Sequence, residues 1–374
     1  MNRDAQLDRE VLSHFLLGFE GTLLPGELRD LLSRGLKGVA LYPRNFNSPA
    51  SLRTLTEEIR AAASGPVIIG MDQEGGTKFS LPEPFTQWPS PAQLGAIGDS
   101  MLVRHIAEAM ARELRAVGVN LNFAPMLDLH INPESPVTRG RSFGANPQHV
   151  ATLGMAFIEG LWKKGGVLAC AKHFPGHGDA QLDPHEELPV CHGDAQRLER
   201  RELVPFAAAI DTGVSAIMTA HILLPQIDPS QPASFSSYLL RNVLRERMGF
   251  EGVVLADDLG MGAVRKRFRA DKAAVAALQA GSDIVMLCHD GKLISQALSS
   301  VRDALQNGLF PREEWHKSGE RIRVALESAA HASLVGENES PEVIGRDEHR
   351  ALAQQALRLF KEKAAPPGHW RDST

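Results

Sequence analysis

Apolar positions along the chain fall into two alternating patterns. Short runs rich in aliphatic and β-branched residues read as buried strands: HFLLGF (14–19), GVALY (38–42), PVIIGM (66–71), VNLNFA (119–124), GVLACA (166–171), SAIMTA (215–220), GVVLA (252–256) and DIVMLC (283–288). Between them, amphipathic stretches at 49–63, 102–117, 147–163, 193–211, 236–248, 262–279 and 290–305 read as helices. Several strands are entered through glycine, at Gly118, Gly165-Gly166, Gly213 and Gly252, which suits a helix C-cap feeding the next strand. Strands alternating with helices imply parallel pairing through crossover helices. Eight such units favour a closed (β/α)8 barrel over an open doubly wound sheet.

The polar residues strengthen that reading. Asp72, Asp128, Lys172-His173, His221 and Asp257 each stand at, or a few residues beyond, the C-terminal end of a different predicted strand. A (β/α)8 barrel builds its active site on that face. Beyond Phe310 the pattern predicts a helix at about 312–331, a polar linker GENESPEV, a last amphipathic helix HRALAQQALRLFKE (349–362) and a frayed end, KAAPPGHWRDST. The expected division is a barrel over 1–335, with linker, helix and tail over 336–374 and no second α/β domain.

Composition narrows the class. An apolar fraction of 43% in 374 residues is enough for a full core, which excludes overall disorder. A formal charge of −5 with interspersed signs gives no basic stripe for nucleic acid. Cys170, Cys191 and Cys288 are odd in number and far apart, so no disulfide framework or CxxC knuckle follows. The N-terminal stretch lacks a basic n-region, and no apolar run approaches the roughly 18 residues of a membrane span. A soluble, cytoplasmic protein with no membrane or nucleic-acid partner is expected.

The stretch KHFPGHGDAQLDPHEELP, from Lys172 to Pro189, concentrates the candidate chemistry. Pro175, Gly176 and Gly178 forbid a helix there, so its histidines are not a helical ligand pair. A loop metal site using His173, His177, His185 and Asp257 is one reading. The other divides the labour: Lys172 and His173 donate hydrogen bonds into a cleft, and the glycine turn carries Asp183-Pro184-His185 across it. An Asp two residues before a His can accept the Nδ1 proton and leave the other ring nitrogen free for acid/base work. A simple surface excursion is the third. In GVVLADDLGM, alternation places Val253, Leu255 and Asp257 on one face, and Asp258 toward the loop or the adjoining helix as a cap. A carboxylate so placed suits a nucleophile or a metal ligand.

Five motifs in order, DQEGG (72–76), RSFG (141–144), KHFPGHGD (172–179), the D-x-H at 183–185 and DDLGM (257–261), resemble glycoside hydrolase family 3, in its β-N-acetylhexosaminidase branch. The resemblance runs from about Phe15 to the last helix. It implies a retaining exo-glycosidase releasing terminal β-N-acetylglucosamine from peptidoglycan fragments, with no metal and no cofactor. By the same resemblance Asp257 matches the nucleophile, His185 the acid/base and Asp183 its partner. Asp72, Arg141, Lys172 and His173 match residues that hold the sugar. The family pattern places arginines after DQEGG where this chain has Thr77 and Ser80, and the nearby Lys78 cannot reproduce a guanidinium fork. A β-glucoside or β-xyloside preference, a degenerate sugar-binding protein, and phosphate in place of water as acceptor stay open at this point. His177 and Asp179 are expected in the turn, Asp128 and His221 beside the site, and Arg139 in a loop ion pair.

Overall fold

The computed structural model describes residues 3–178, 180, 182–336 and 339–364. All eight expected strands form and close into one parallel barrel: β1 (Phe15–Leu17), β2 (Gly38–Ala40), β3 (Ile68–Met71), β4 (Leu121–Asn122), β5 (Leu168–Phe174), β6 (Ala216–Thr219), β9 (Val253–Ala256) and β10 (Ile284–Leu287). Neighbours round the ring follow chain order, and β10 pairs with β1 to close it. A short antiparallel hairpin, β7 (Leu223–Leu224) and β8 (Asp228–Pro232), lies between β6 and β9.

Strand alternation divides the core in two. Leu16, Ile68, Phe123, Leu168, Cys170, Met218, Val253, Leu255 and Met286 fill the lumen. Their neighbours Leu17, Ile69, Ala169, Ile217, Val254 and Val285 face the surrounding helices. A Cβ on Gly70 would lie 2.4 Å from the Phe123 ring, so glycine there is what lets that ring enter the lumen. Ile322, Ala325, Leu326 and Ala329, from the helix Arg312–Gly336, join the lumen cluster. The last helix, Asp347–Ala364, packs on the same body: Ala353 and Ala356 are buried, and His349 bonds Glu113.

The helical pattern is less continuous than the sequence implies. The stretch 193–211 divides into Ala195–Arg200 and Leu203–Thr212, because Arg201 leaves the helical region at φ −129° and ψ −74°. The stretch 262–279 divides into Gly262–Arg265 and Ala270–Ala280, and Phe268 in the gap packs edge-on to Phe235. Helices Arg3–Ser13, Gly26–Arg34 and Pro91–Ile97 are additional to those expected. The last has a readable local signal, a Ser90/Gln93 capping box with Pro91 at its first position.

A buried charge locks the end of the barrel away from the site. Asp283, fully buried before β10, accepts from the Val254 amide (2.8 Å), from Arg245 (2.5 Å) and from Arg321 (3.0 and 2.7 Å). It thereby joins β9, β10 and the helix Arg312–Gly336. Removing one partner of such a group strands the others without compensation. Asp283→Asn is expected to lower unfolding free energy by about 3–5 kcal/mol in urea denaturation; a loss under about 1 kcal/mol would contradict this role.

Candidate active site

The strand ends converge as alternation requires. Ile68, Gly70 and Asp72 share the lumen face of β3 and its continuation, as do Leu168, Cys170 and Lys172 on β5, and Val253, Leu255 and Asp257 on β9. The pairing of β5 with β6 slips between Lys172 and Phe174, and the Lys172–His173 peptide is cis. Lys172 and His173, although consecutive, both line the same cavity. That cavity has a volume of about 290 Å³, and Asp72, Arg141, Lys172, His173, Asp183, His185 and Asp257 all line it.

Its wall is a buried charge network centred on Glu74. Arg141 grips this carboxylate with two parallel bonds (2.8 and 2.7 Å). Lys172 Nζ lies 2.7 Å from Glu74 Oε1 and donates to Asp72 Oδ1 at 2.5 Å. Burial pushes the Glu74 carboxyl up, but Arg141 and Lys172 more than offset it and hold it at about 2. Burial likewise works against the Lys172 ammonium, and Asp72 and Glu74 keep it above its ordinary value. The Phe79 ring covers Arg141, its centroid 4.1 Å from the guanidinium carbon.

A second buried acid aims the histidines. Asp128 accepts from the His173 and His177 amides (3.1 and 2.7 Å) and stands 2.7 and 3.2 Å from their Nδ1 atoms. Burial would raise its carboxyl, yet the two imidazoles hold it well below the carboxylate range. An Nδ1 proton held this way leaves His173 Nε2 available. His221 is buried beside the nucleophile candidate: Nδ1 meets Ser234 Oγ at 2.8 Å and Nε2 meets the Asp257 carbonyl at 3.2 Å. Burial raises the Asp257 carboxyl, but His173, His221, the Asp258 amide and Lys172 together keep it below its ordinary value. It is a carboxylate at neutral pH.

The Asp183–His185 pair sits at the mouth. Asp183 Oδ1 accepts from the His185 amide (2.9 Å) and faces its Nδ1 at 2.7 Å, while the His185 side chain is 59% exposed. Burial opposes ionisation of Asp183, and the two His185 contacts outweigh it. The loop is pinned from the far side: Gly262 and Ala263 donate their amides to the His185 and Pro184 carbonyls (3.0 and 2.9 Å). A Cβ at Gly262 would lie 2.4 Å from the His185 oxygen, so only glycine permits this approach.

Other expectations resolve individually. Arg139 pairs with Glu134 at 3.7 Å, and Asp128 and His221 touch site residues. Asp179 lies outside the described residues. Asp258 caps no helix; its Oδ1 accepts from the Gly260 and Cys288 amides (2.9 and 3.3 Å), tying the loops after β9 and β10 together. The metal-ligand reading is not assembled as a set. Among the described residues, Asp128, His173 and His177 are the group able to hold a cation, and here the Asp128 carboxylate satisfies both Nδ1 atoms. Sequence reasoning missed Glu74, although the Asp72-x-Glu74 spacing is a signal that a second carboxylate stays near the first.

Because Glu74 is held at about 2 against an ordinary 4.5, its stabilisation is full above about 4.5 and lost as pH falls through about 2. Glu74→Gln should destabilise the fold by about 3–5 kcal/mol at pH 7. Thermal unfolding from pH 7 to pH 3 should show the gap to wild type narrowing below about 4.5. A gap independent of pH would refute the carboxylate's role.

The family model for the glycosyl hydrolase family 3 N terminal domain matches residues 25–325. A β-hexosaminidase from Nitrosomonas eutropha is 41% identical over 298 residues, covering 78% of this chain and 85% of its own. The solved glycoside hydrolase family 3 β-N-acetylglucosaminidase from Paenibacillus sp. superposes with a TM-score of 0.89 at 34% identity, over 95% of this chain and 68% of that one. NagZ from Neisseria gonorrhoeae, in complex with N-trifluoroacetyl-D-glucosamine, gives 0.74 at 31%, over 92% and 97%. By the family model over residues 25–325 and by these relatives, this chain belongs to glycoside hydrolase family 3 and is a glycosidase.

Proposed function

We propose that the protein is a retaining exo-β-N-acetylglucosaminidase acting on peptidoglycan-derived fragments in the cytoplasm. The observation that carries the reading is one small cavity with an ionised, half-buried carboxylate, Asp257, and an Asp183–His185 pair at its mouth. A volume of about 290 Å³ is at the small end of ligand pockets and suits one sugar ring, hence attack at a chain end. The relatives' names support the amino sugar. Three free cysteines and the absence, among the described residues, of a helix long and apolar enough to cross a membrane fit the location.

In the first step Asp257 attacks the anomeric carbon and a C–O ester bond forms as the glycosidic bond breaks. His185 gives its Nε2 proton to the departing oxygen, and Asp183 steadies the imidazole through Nδ1. In the second step His185 takes a proton from water, whose oxygen displaces Asp257 with a second inversion. Asp72, Arg141, Lys172 and His173 hold the sugar hydroxyls, already charged and oriented by Glu74 and Asp128. Rigid donors of this kind cost little reorganisation in the transition state.

Hydrolysis of nitrophenyl β-N-acetylglucosaminide should fall about a thousandfold or more in Asp257→Ala. Full activity in that variant would overturn the assignment. His185→Ala should cost roughly 10²–10⁴ with a sugar leaving group and much less with nitrophenol, which departs without a proton. Equal losses on both would make His185 structural. Preference for the β-glucoside or β-xyloside would keep the mechanism and change the substrate. EDTA should leave the rate unchanged; loss restored by Zn²⁺ would put a metal on Asp128, His173 and His177 instead.

A further inference from the structure

A second cavity, about 320 Å³ in volume, lies at the other end of the barrel, among residues that precede the strands. His14 stands just before β1, and Ser282 and Asp283 stand just before β10. The helical segment Tyr238–Arg247 and the helix Arg312–Gly336 form its sides. It shares no lining residue with the catalytic cavity. Trp315 gives it an aromatic wall, packed on His14 and Phe310 with ring centroids 3.9 and 4.8 Å apart.

The ion pairs around this cavity leave positive charge over. Arg241 and Glu314 pair one to one at 2.7 Å. Arg245 and Arg321 both turn to Asp283, at 2.5 and 2.7 Å, so two guanidiniums share one buried carboxylate. Lys317 meets the exposed Glu313 at 2.8 Å and Glu314 at 3.6 Å. The remaining acid on the wall, Glu246, is exposed and accepts from Asn242 at 3.1 Å. His14 contributes no charge at neutral pH, because burial drives its imidazole down to about 4. Burial, with Arg321 and Arg241 nearby, pulls the Arg245 guanidinium below its ordinary value although Asp283 opposes this. Two buried polar atoms of lining residues, Arg245 Nε and Ser282 Oγ, meet no hydrogen-bond partner among the described residues.

We propose that this cavity is a phosphate-binding site, taking the free ion or a compact phosphate monoester. A guanidinium fork matches oxyanion oxygens in pairs, and a dianion neutralises the charge that Asp283 leaves over. Donors converge here from three separate elements: the segment Tyr238–Arg247, the turn before β10 and the helix Arg312–Gly336. A tetrahedral group with three terminal oxygens meets all three, whereas a planar carboxylate meets only some. The cavity is slightly larger than the catalytic one, which leaves room for an organic body against Trp315. The site is independent of the glycosidase reading. Its occupant would tighten the joint between the helix Arg312–Gly336 and the barrel floor without touching the substrate.

The test is titration calorimetry on the full chain with inorganic phosphate, glucose 6-phosphate and acetate, at constant ionic strength in chloride. Phosphate or its ester should bind at one site per chain and raise Tm by about 1–3 °C at saturation. Acetate should bind at least about tenfold more weakly. A preference for the ester assigns the aromatic wall to an organic body, and equal affinity assigns the site to the free ion. Arg241 and Lys317 are partly exposed and stand outside the Asp283 lock. The Arg241→Glu/Lys317→Glu variant should therefore fold, hydrolyse nitrophenyl β-N-acetylglucosaminide at the wild-type rate, and bind phosphate at least about tenfold more weakly. Arg321→Lys keeps the charge but loses the fork, and should weaken binding about threefold to tenfold. No binding by wild type, acetate bound as well as phosphate, or undiminished binding by the double variant overturns the proposal. Displacement of phosphate by N-acetylglucosamine also overturns it, because the ion would then occupy the catalytic cavity.

Discussion

The charged wall of the cavity depends on Glu74, a buried carboxylate shared by Arg141 and Lys172. Buried ions cost several kcal/mol each, and the cost is met only where geometry is good and every oxygen is bonded. Here one acid fixes two cations from separate parts of the chain, and one of those cations reaches on to Asp72. The proposed sugar clamp is therefore oriented by the protein's own charges. Asp128 performs the equivalent service for His173 and His177, taking two amides and two ring nitrogens.

The site divides into a rigid interior and an exposed edge. The interior donors, Lys172 at the end of β5 and Arg141 in the turn after β4, are held by buried carboxylates, and fixed donors are what stabilisation of a developing charge demands. His185 stands at the edge on a loop, more than half exposed, where the proposed acid/base could exchange a proton first with a departing group and then with water. Its freedom is limited by Asp183 on one side and by the Gly262 and Ala263 amides on the other. The backbone contact joins the loop after β5 to the loop after β9, so the residue proposed to protonate and the residue proposed to attack are held by adjoining segments.

The strands were legible because a barrel buries them on both faces, and the short aliphatic runs admit little else. Alternation also placed Asp257 in the lumen, since Val253 and Leu255 fill it. The helix interruptions were not legible, because apolar spacing continues through them and distant packing decides them. Phe268 settles on Phe235, and Glu202 comes within reach of the glycine turn, 3.1 Å from a Cβ at Gly176. Glu74 escaped for a related reason: its partner Arg141 is 67 residues away, and nothing local marks the pairing. The cap expected of Asp258 failed because the helix begins only at Gly262, beyond its reach, and the side chain turned to the Gly260 and Cys288 amides. The acid/base loop was legible as a D-x-H, but its anchorage on Gly262 needed the fold.

The most direct test of the account is to trap the glycosyl-enzyme. A fluorinated N-acetylglucosaminyl donor that forms the intermediate quickly and releases it slowly, followed by proteolysis and mass spectrometry, locates the ester. The account predicts one added sugar on the peptide containing Asp257 and none in Asp257→Ala. A label on another carboxylate, or turnover of the donor with inverted product and no labelled peptide, would contradict it.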